Sequence, residues 1–545
     1  MNYSCMFVVF IAVLKLEQKE KTVLVYAFIA SALLETSWAT VEYLAVLEPR
    51  PNGTFFNPNY FAGYIAGVSA WVLSEIISAY RSGSQKGLVA VGGIILLLLV
   101  IGISVSGSRG GVLALGTALF FVGLAIWGVK IFPALIVIAL LFLLIPNPTM
   151  ERLRHISEQD IYAWSRLDIW MSAFSLIADN PLGVGTGMYR FHSPRYAFPV
   201  DEAFARYGQV AETAHNAYLD MAAELGIMSA LIIIFVGIFL IVKALKAVRK
   251  NKDFFYAGTI GVLASVMAQG GVDSIQKSPP SDLLAVVSAG ILFSNMVKGR
   301  TISLKVSSYF KYLSVLFIIL AIWFVSAPGL GYEFSERAKR YMKKGDFENA
   351  QRWQTMAIKV CPSNADFWYQ SAQIESNLWA KSGKDELYLK SLRSLESAQE
   401  LNPLNTNYHT AMAGLIRRNE KIRLEKKIEA MIELYKKTIE LAPYNATFYV
   451  ELAKALMEKG DYHEAEKAYR KAIELEPRYA SAMALYGDLL LKMDRKKEAV
   501  FYYKQALNIV ENIKDYKNRK NTEYEKALWR FDVTQAKRKL EEISN

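Results

Sequence analysis

Three polar clusters interrupt the apolar first half of the sequence and hold residue types that chemistry needs. They are Ser106-Gly-Ser-Arg109-Gly-Gly111, Trp164-Ser-Arg166-Leu-Asp168-Ile-Trp170 and Glu212-Thr-Ala-His215-Asn216-Ala-Tyr218-Leu-Asp220. Arginine presents forked donors that match phosphate oxygens and keeps its charge at any working pH. Histidine takes up or releases a proton near neutrality. Brought together, Arg109, Arg166 and His215 suit displacement of a diphosphate. The arginines would stabilise the departing oxygens while the histidine orients or deprotonates an attacking hydroxyl. Each residue also has a plainer alternative: Arg109 could snorkel to lipid headgroups, and a lone histidine is commonly a hydrogen-bonded structural residue. Gly183-x-Gly-x-Gly187, within Asn180-Pro-Leu-Gly183-Val-Gly185-Thr-Gly187, lacks the spacing of a dinucleotide fingerprint and reads as a turn. Asp201-Glu202 is an isolated acidic pair, so no metal or other cofactor is expected. The arginines stand where a divalent cation otherwise would.

The elements that must position these residues belong to a membrane protein. The chain has 545 residues; 43 of the first 330 are charged, against 71 of the last 215. That contrast divides it into a membrane half, 1–330, and a soluble half, 331–545. A spanning helix needs about 20 apolar residues. Stretches 88–108, 110–129, 131–150 and 254–272 contain no charge, and 225–242, 283–297 and 312–330 come close to that length. Stretch 60–80 contains only Glu75, 22–47 contains Glu35 and Glu42, and 1–14 is too short to cross alone. The expected fold class is all-α: a polytopic transmembrane helix bundle followed by an α-solenoid. Cys5 and Cys361 lie in different halves and imply neither a disulfide framework nor a zinc site.

Basic residues orient the spans. Alternate loops hold Lys15, Lys19 and Lys21; Arg81 and Lys86; Lys130; and Lys243, Lys246, Arg249, Lys250 and Lys252. Lys298, Arg300, Lys305 and Lys311 complete this set, which is placed in the cytoplasm. The opposite short loops hold only Arg50, Arg109 and Lys277. The long loop of about 147–218, and everything after the last span, therefore falls outside. Residue 1 also starts outside, from which an odd number of helices upstream of Met1 is expected. The excess of basic residues, net +12, is better matched to the phosphate of a lipid carrier than to nucleic acid.

The clusters, together with Gly53-Thr-Phe-Phe-Asn57-Pro-Asn59-Tyr-Phe-Ala62 and Glu224-Leu-Gly226, resemble the O-antigen ligase/polymerase family of bacterial membrane transferases over about residues 48–300. The resemblance implies a polyprenyl-diphosphate-linked oligosaccharide donor and metal-independent, inverting transfer onto an acceptor hydroxyl at the outer face of the cytoplasmic membrane. It implies that Arg109, Arg166 and His215 are catalytic, with Arg190, Arg195, Arg206, Glu212 and Asn216 as donor or acceptor contacts. Members divide into ligases, polymerases and protein O-oligosaccharyltransferases, so the acceptor is a glycan, lipid or protein. A reading of another class is a non-enzymatic membrane anchor displaying a scaffold for polysaccharide assembly.

The soluble half supports that display. Gly345-Asp-Phe-Glu-Asn-Ala350 precedes Pro362 by 17 positions, and Gly460-Asp-Tyr-His-Glu-Ala465 precedes Pro477 by the same 17. Pro443 to Pro477 is 34, the tetratricopeptide period, and Ala465 recurs as Ala499. About four repeats are expected, stacked into a right-handed solenoid on the extracytoplasmic side, where they would recruit a protein partner or acceptor. Trp353, Trp368, Tyr469, Tyr486 and Tyr502 read as packing residues, and the lysine-rich run 514–520 as a solvated helix end.

Overall fold

The computed structural model describes residues 3–83, 86–131, 133, 165–201, 203–208, 210–297, 308–513 and 522–544. The expected span 131–150 and the run 514–520 fall almost wholly or wholly outside them. Every regular element among the described residues is helical. The chain divides into two compact units, Met1–Tyr189 with Glu212–Ser303, and Arg190–Ala211 with Leu304–Asn545.

The first unit contains α1 (Tyr3–Lys15), α2 (Gln18–Ala45), α3 (Pro58–Ser82), α4 (Lys86–Val105) and α5 (Arg109–Trp127). It continues with α6 (Ser165–Asp179), α7 (Ala217–Leu225), α8 (Ile227–Asn251), α9 (Phe254–Gly270) and α10 (Pro279–Met296). Among the described residues, five helices are long and apolar enough to cross a membrane: α2, α3, α4, α8 and the run Arg109–Ile131. Their exposed residues are apolar too, among them Ile94 and Leu97 on α4 and Phe235 and Ile238 on α8. Water would penalise such faces; lipid does not.

Helices α3, α5 and α9 pack against one another at the centre. Small residues permit the approach: a Cβ added at Gly261 would stand 2.6 Å from Val122, 2.8 Å from Ala70 and 3.0 Å from the Ala118 carbonyl. This is how helices associate where lipid removes the hydrophobic drive between them. At 17 residues α9 is short for a span, yet it is buried along most of its length.

The second unit begins with α11 (Ser308–Lys343), which runs unbroken through Pro328. The sequence suggests a boundary there; a proline removes one main-chain donor but here does not end the helix. Then come α12 (Phe347–Val360), α13 (Ala365–Ser382), α14 (Asp385–Leu401), α15 (Thr406–Arg418), α16 (Leu424–Leu441), α17 (Ala446–Lys459), α18 (Tyr462–Leu475), α19 (Ala480–Lys492) and α20 (Lys496–Asn512). Two shorter helices close the unit, α21 (Glu523–Trp529) and α22 (Val533–Ser544). Successive helices from α11 to α20 pair as hairpins. That is five pairs among the described residues rather than about four. The first pair uses the end of α11 as its first helix. The prolines Pro362, Pro403 and Pro443 are 41 and 40 apart, because the middle units have helices of 17 and 18 residues where α17 and α18 have 14. Asn364, Asn405 and Asn445 each cap a hairpin's first helix, accepting from the amide two residues on. Tyr469 and Tyr486 are fully buried packing residues.

Candidate functional site

Three of the polar clusters start helices. Asn57 caps α3, accepting from the Asn59 amide at 2.8 Å, with Pro58 at the first helical position. Ser108 caps α5, accepting from the Gly111 amide at 3.1 Å. Asn216 caps α7, accepting from the amides of Tyr218 and Leu219. In each cluster one short polar side chain starts the helix, and the neighbours Asn59, Arg109 and His215 are set at its mouth. Helix N-termini carry unpaired amides and a positive dipole end, which favour anions.

These clusters meet at the turn that follows α9. The Arg166 Nη1 donates to the Val272 carbonyl at 3.0 Å. Asn216 Nδ2 donates to the Gly271 carbonyl at 2.8 Å, and the Ala217 amide to the Asp273 carbonyl at 3.2 Å. Asn59 Nδ2 donates to Asp273 Oδ2 at 2.9 Å, and His215 Nδ1 lies 3.8 Å from Asp273 Oδ1. A Cβ on Gly110 would stand 3.6 Å from Val272 Cγ2, so the start of α5 abuts the same turn. Arg50 ties two clusters together, donating to Asn59 Oδ1 at 3.2 Å and to the Ser106 carbonyl at 3.4 Å.

Asp273 is the hub and is 4% exposed. Burial pushes its carboxyl up, but His215, the Ser274 amide, the Asn59 amide and the Arg166 charge outweigh that and hold it below the usual carboxylate range. A second buried carboxylate braces the same turn. Asp220 accepts from the Ala214 amide at 2.7 Å and from the Ser274 hydroxyl at 2.5 Å. His215 itself is 47% exposed on its side chain and sits at φ +49°, in the left-handed region. Outside glycine that conformation is uncommon, and it clusters at functional sites.

The glycine run 183–187 is a turn, as its composition suggests. Gly183 has φ +86°, and a Cβ there would stand 2.5 Å from the Glu224 carbonyl. Val184 and Gly185 donate to the Ala223 and Glu224 carbonyls. An apolar cavity of about 340 Å³ adjoins the start of α7. Its lining includes Ala217, Tyr218, Met221, Val236, Leu263 and Ile275.

The sequence candidates separate into two groups. Arg109, Arg166, His215, Glu212 and Asn216 belong to the first unit; Arg190, Arg195 and Arg206 belong to the second. Asn216, expected as a substrate contact, has both ends of its amide taken by main chain and serves the fold. Glu212 is exposed. Arg190 lies 3.8 Å from Asp366 and over the Phe191 ring, while Arg206 donates to Asp201 at 2.7 Å. Arg195 lies in the turn Ser193–Tyr196; burial, with its charge, lowers the pKa of His192. Sequence reasoning missed Asp273 and assigned no role in the site to Asp220 or Arg50. Among the described residues no three His, Cys, Asp or Glu side chains gather as a metal site.

The family model of the O-antigen ligase matches residues 94–234, a stretch that contains Arg109, Arg166 and His215. That match lies within the membrane half. The tetratricopeptide-repeat model matches residues 444–512, beyond it. No curated protein matches the chain. Among solved structures, the repeats are similar to those of MamA 41-end from Desulfovibrio magneticus RS-1, at 16% identity. That match covers 34% of this chain and 97% of that one, with a TM-score of 0.29. TTC0263, a thermophilic repeat protein of Thermus thermophilus, is similar at 19% identity, covering 36% and 98%, with a TM-score of 0.26. YrrB, described as a repeat protein with an unusual peptide-binding site, is similar at 15% identity, covering 32% and 84%, with a TM-score of 0.26.

Proposed function

We propose that the protein is a membrane glycosyltransferase. It moves or polymerises an oligosaccharide from a polyprenyl-diphosphate donor onto an acceptor hydroxyl on the outer face of the cytoplasmic membrane, as an O-antigen or polysaccharide ligase or polymerase. One observation carries this reading: Arg166 and His215 meet on the Val272–Asp273 turn, which also abuts the start of the helix that Arg109 opens.

In the proposed reaction the acceptor hydroxyl attacks the anomeric carbon from the face opposite the diphosphate. The new C–O bond forms as the bond to the diphosphate oxygen breaks, so the anomeric centre inverts. His215 takes the hydroxyl proton, and the carboxylate of Asp273 stabilises the imidazolium that forms. Arg109, Arg166 and the helix N-termini take up the charge on the departing polyprenyl diphosphate, and no divalent cation is required for that role. The cavity beside Ala217 and Tyr218 suits an apolar chain, which supports a prenyl-linked donor. A scaffold has no need for arginine and histidine to converge on one short turn. Tetratricopeptide repeats are protein-interaction modules, and on the outer face the repeat half would serve the acceptor or a protein partner.

The deciding experiment is lipid-linked glycan turnover in a strain carrying Arg109→Ala. Accumulation of undischarged carrier-linked glycan is expected. Turnover at the unaltered rate, with the variant present in the membrane in normal amount, defeats the assignment.

A further inference from the structure

We propose that the repeat domain is a receptor for a segment of its own chain, residues 203–207, and that its work is to hold the loop that leads to His215. The inference goes beyond the transferase reading and stands whatever reaction His215 serves.

The receptor is built around Glu476, just past the end of α18. Its side chain is fully buried. Two successive amides of the segment donate to it, Arg206 to Oε2 at 2.7 Å and Tyr207 to Oε1 at 2.8 Å. The Tyr524 hydroxyl of α21 donates to Oε1 at 3.0 Å. A carboxylate removed from water is unfavourable unless its oxygens are met. Two of these three donors come from the segment. Burial pushes the Glu476 carboxyl up, and the Tyr207 and Arg206 amides pull it back. An empty receptor would leave that carboxylate underbonded.

Side chains complete the grip. Phe204 and Ala205 are buried in the same apolar core as Tyr469 and Tyr486. The Tyr207 ring stacks on Tyr444, centroids 5.1 Å apart and planes at 17°. Arg478 donates to the Ala203 carbonyl at 3.4 Å. Main-chain bonds supply affinity and side-chain pockets supply selectivity, the division of labour usual in peptide recognition.

The segment arrives pre-folded. The Val200 amide donates to the Arg206 carbonyl at 2.8 Å, and the Arg206 side chain to Asp201. Ser193 Oγ donates to the Ala211 carbonyl at 2.7 Å, drawing the two ends of the loop piece together. Ala211 is four residues before His215, so the clasp holds the stretch of chain that leads to it. An external peptide using this cleft must first displace the protein's own loop.

The test is hydrogen exchange on the full-length chain in detergent micelles, read on peptides covering 203–208. Those amides are expected to be protected in the unaltered protein. In Glu476→Gln and in Tyr207→Ala, exchange there should quicken about tenfold or more. Peptides of α13–α16 should keep their protection, and Tyr207→Ala alters only the segment, so a misfolded repeat cannot imitate the result. Exchange as fast as in an unstructured peptide in the unaltered chain overturns the proposal, as does unchanged protection in both variants. No glycan enters the measurement, so its failure and that of the transferase reading are separable.

Discussion

The Nδ1 of His215 lies 3.8 Å from Oδ1 of Asp273, a residue 58 positions later in the chain. At that distance the contact is electrostatic rather than a hydrogen bond. A buried carboxylate beside an imidazole favours the tautomer with its proton on the facing nitrogen and stabilises the imidazolium once formed. The Arg166 guanidinium is anchored one residue away, on Val272. One short turn thus relates the proposed proton acceptor to the proposed diphosphate ligand.

Asp273→Asn should therefore lower transfer about 100-fold or more while the protein still accumulates in the membrane. Asp273→Ala should in addition cost about 2–3 kcal/mol of stability, because Asn59 and His215 lose their buried partner. The check is in vitro glycan transfer beside thermal unfolding of each purified variant. Full transfer in Asp273→Asn would remove Asp273 from the mechanism.

The same residue sets a pH dependence. Its folded pKa is depressed, so its contribution to stability is present above the unfolded value, about 3.9, and is lost as pH falls through the folded value. The Tm difference between the unaltered protein and Asp273→Asn should hold steady from about pH 8 to about pH 5 and narrow below about pH 4. A difference that instead widens on acidification contradicts the assigned direction.

His215 poses a separable question, since it combines a proposed catalytic role with a left-handed backbone. Asparagine tolerates that conformation better than most residues but offers no proton acceptor of comparable basicity. His215→Asn should keep stability within about 0.5 kcal/mol of the parent while transfer is lost. Large destabilisation would show the residue to be structural, the plainer of its two readings.

What was legible in the sequence follows from contrast. Arg109, Arg166 and His215 stand out because charge is scarce between apolar spans. Asp273 does not: it sits one residue past the charge-free stretch 254–272, and its partner Asn59 is 214 positions away. Pairing across that distance is set by the packing of α3 against α9, which no local pattern reveals. Asn216 looked like a substrate contact because it adjoins His215, although an asparagine opening a helix is equally the signature of a cap. Only half of the first repeat pair was legible, through Gly345–Ala350 and Pro362. Its first helix is the continuation of an apolar helix beyond Pro328, so the change in composition and the change in architecture do not coincide.

The repeat period, in contrast, was fully visible, and it licenses a prediction at one position. Gly460 ends α17 at φ +90°, its amide bonded to the Met457 carbonyl and the Asp461 amide to that of Leu456. Asp494, 34 residues on, ends α19 at φ +58°, with its amide on Leu491 and the Arg495 amide on Leu490. The two turns share one hydrogen-bond pattern, and the second is built on a residue with a Cβ. Left-handed backbone costs a non-glycine residue about 1 kcal/mol or more, while glycine loses about 0.5 kcal/mol through the entropy of the unfolded chain. The Asp494 side chain is exposed, so its removal forfeits little packing. Asp494→Gly should accordingly stabilise the repeats by about 0.5 kcal/mol, seen as slower hydrogen exchange in α19 and α20. Faster exchange there would mean that the aspartate side chain contributes more to the turn than its backbone conformation costs.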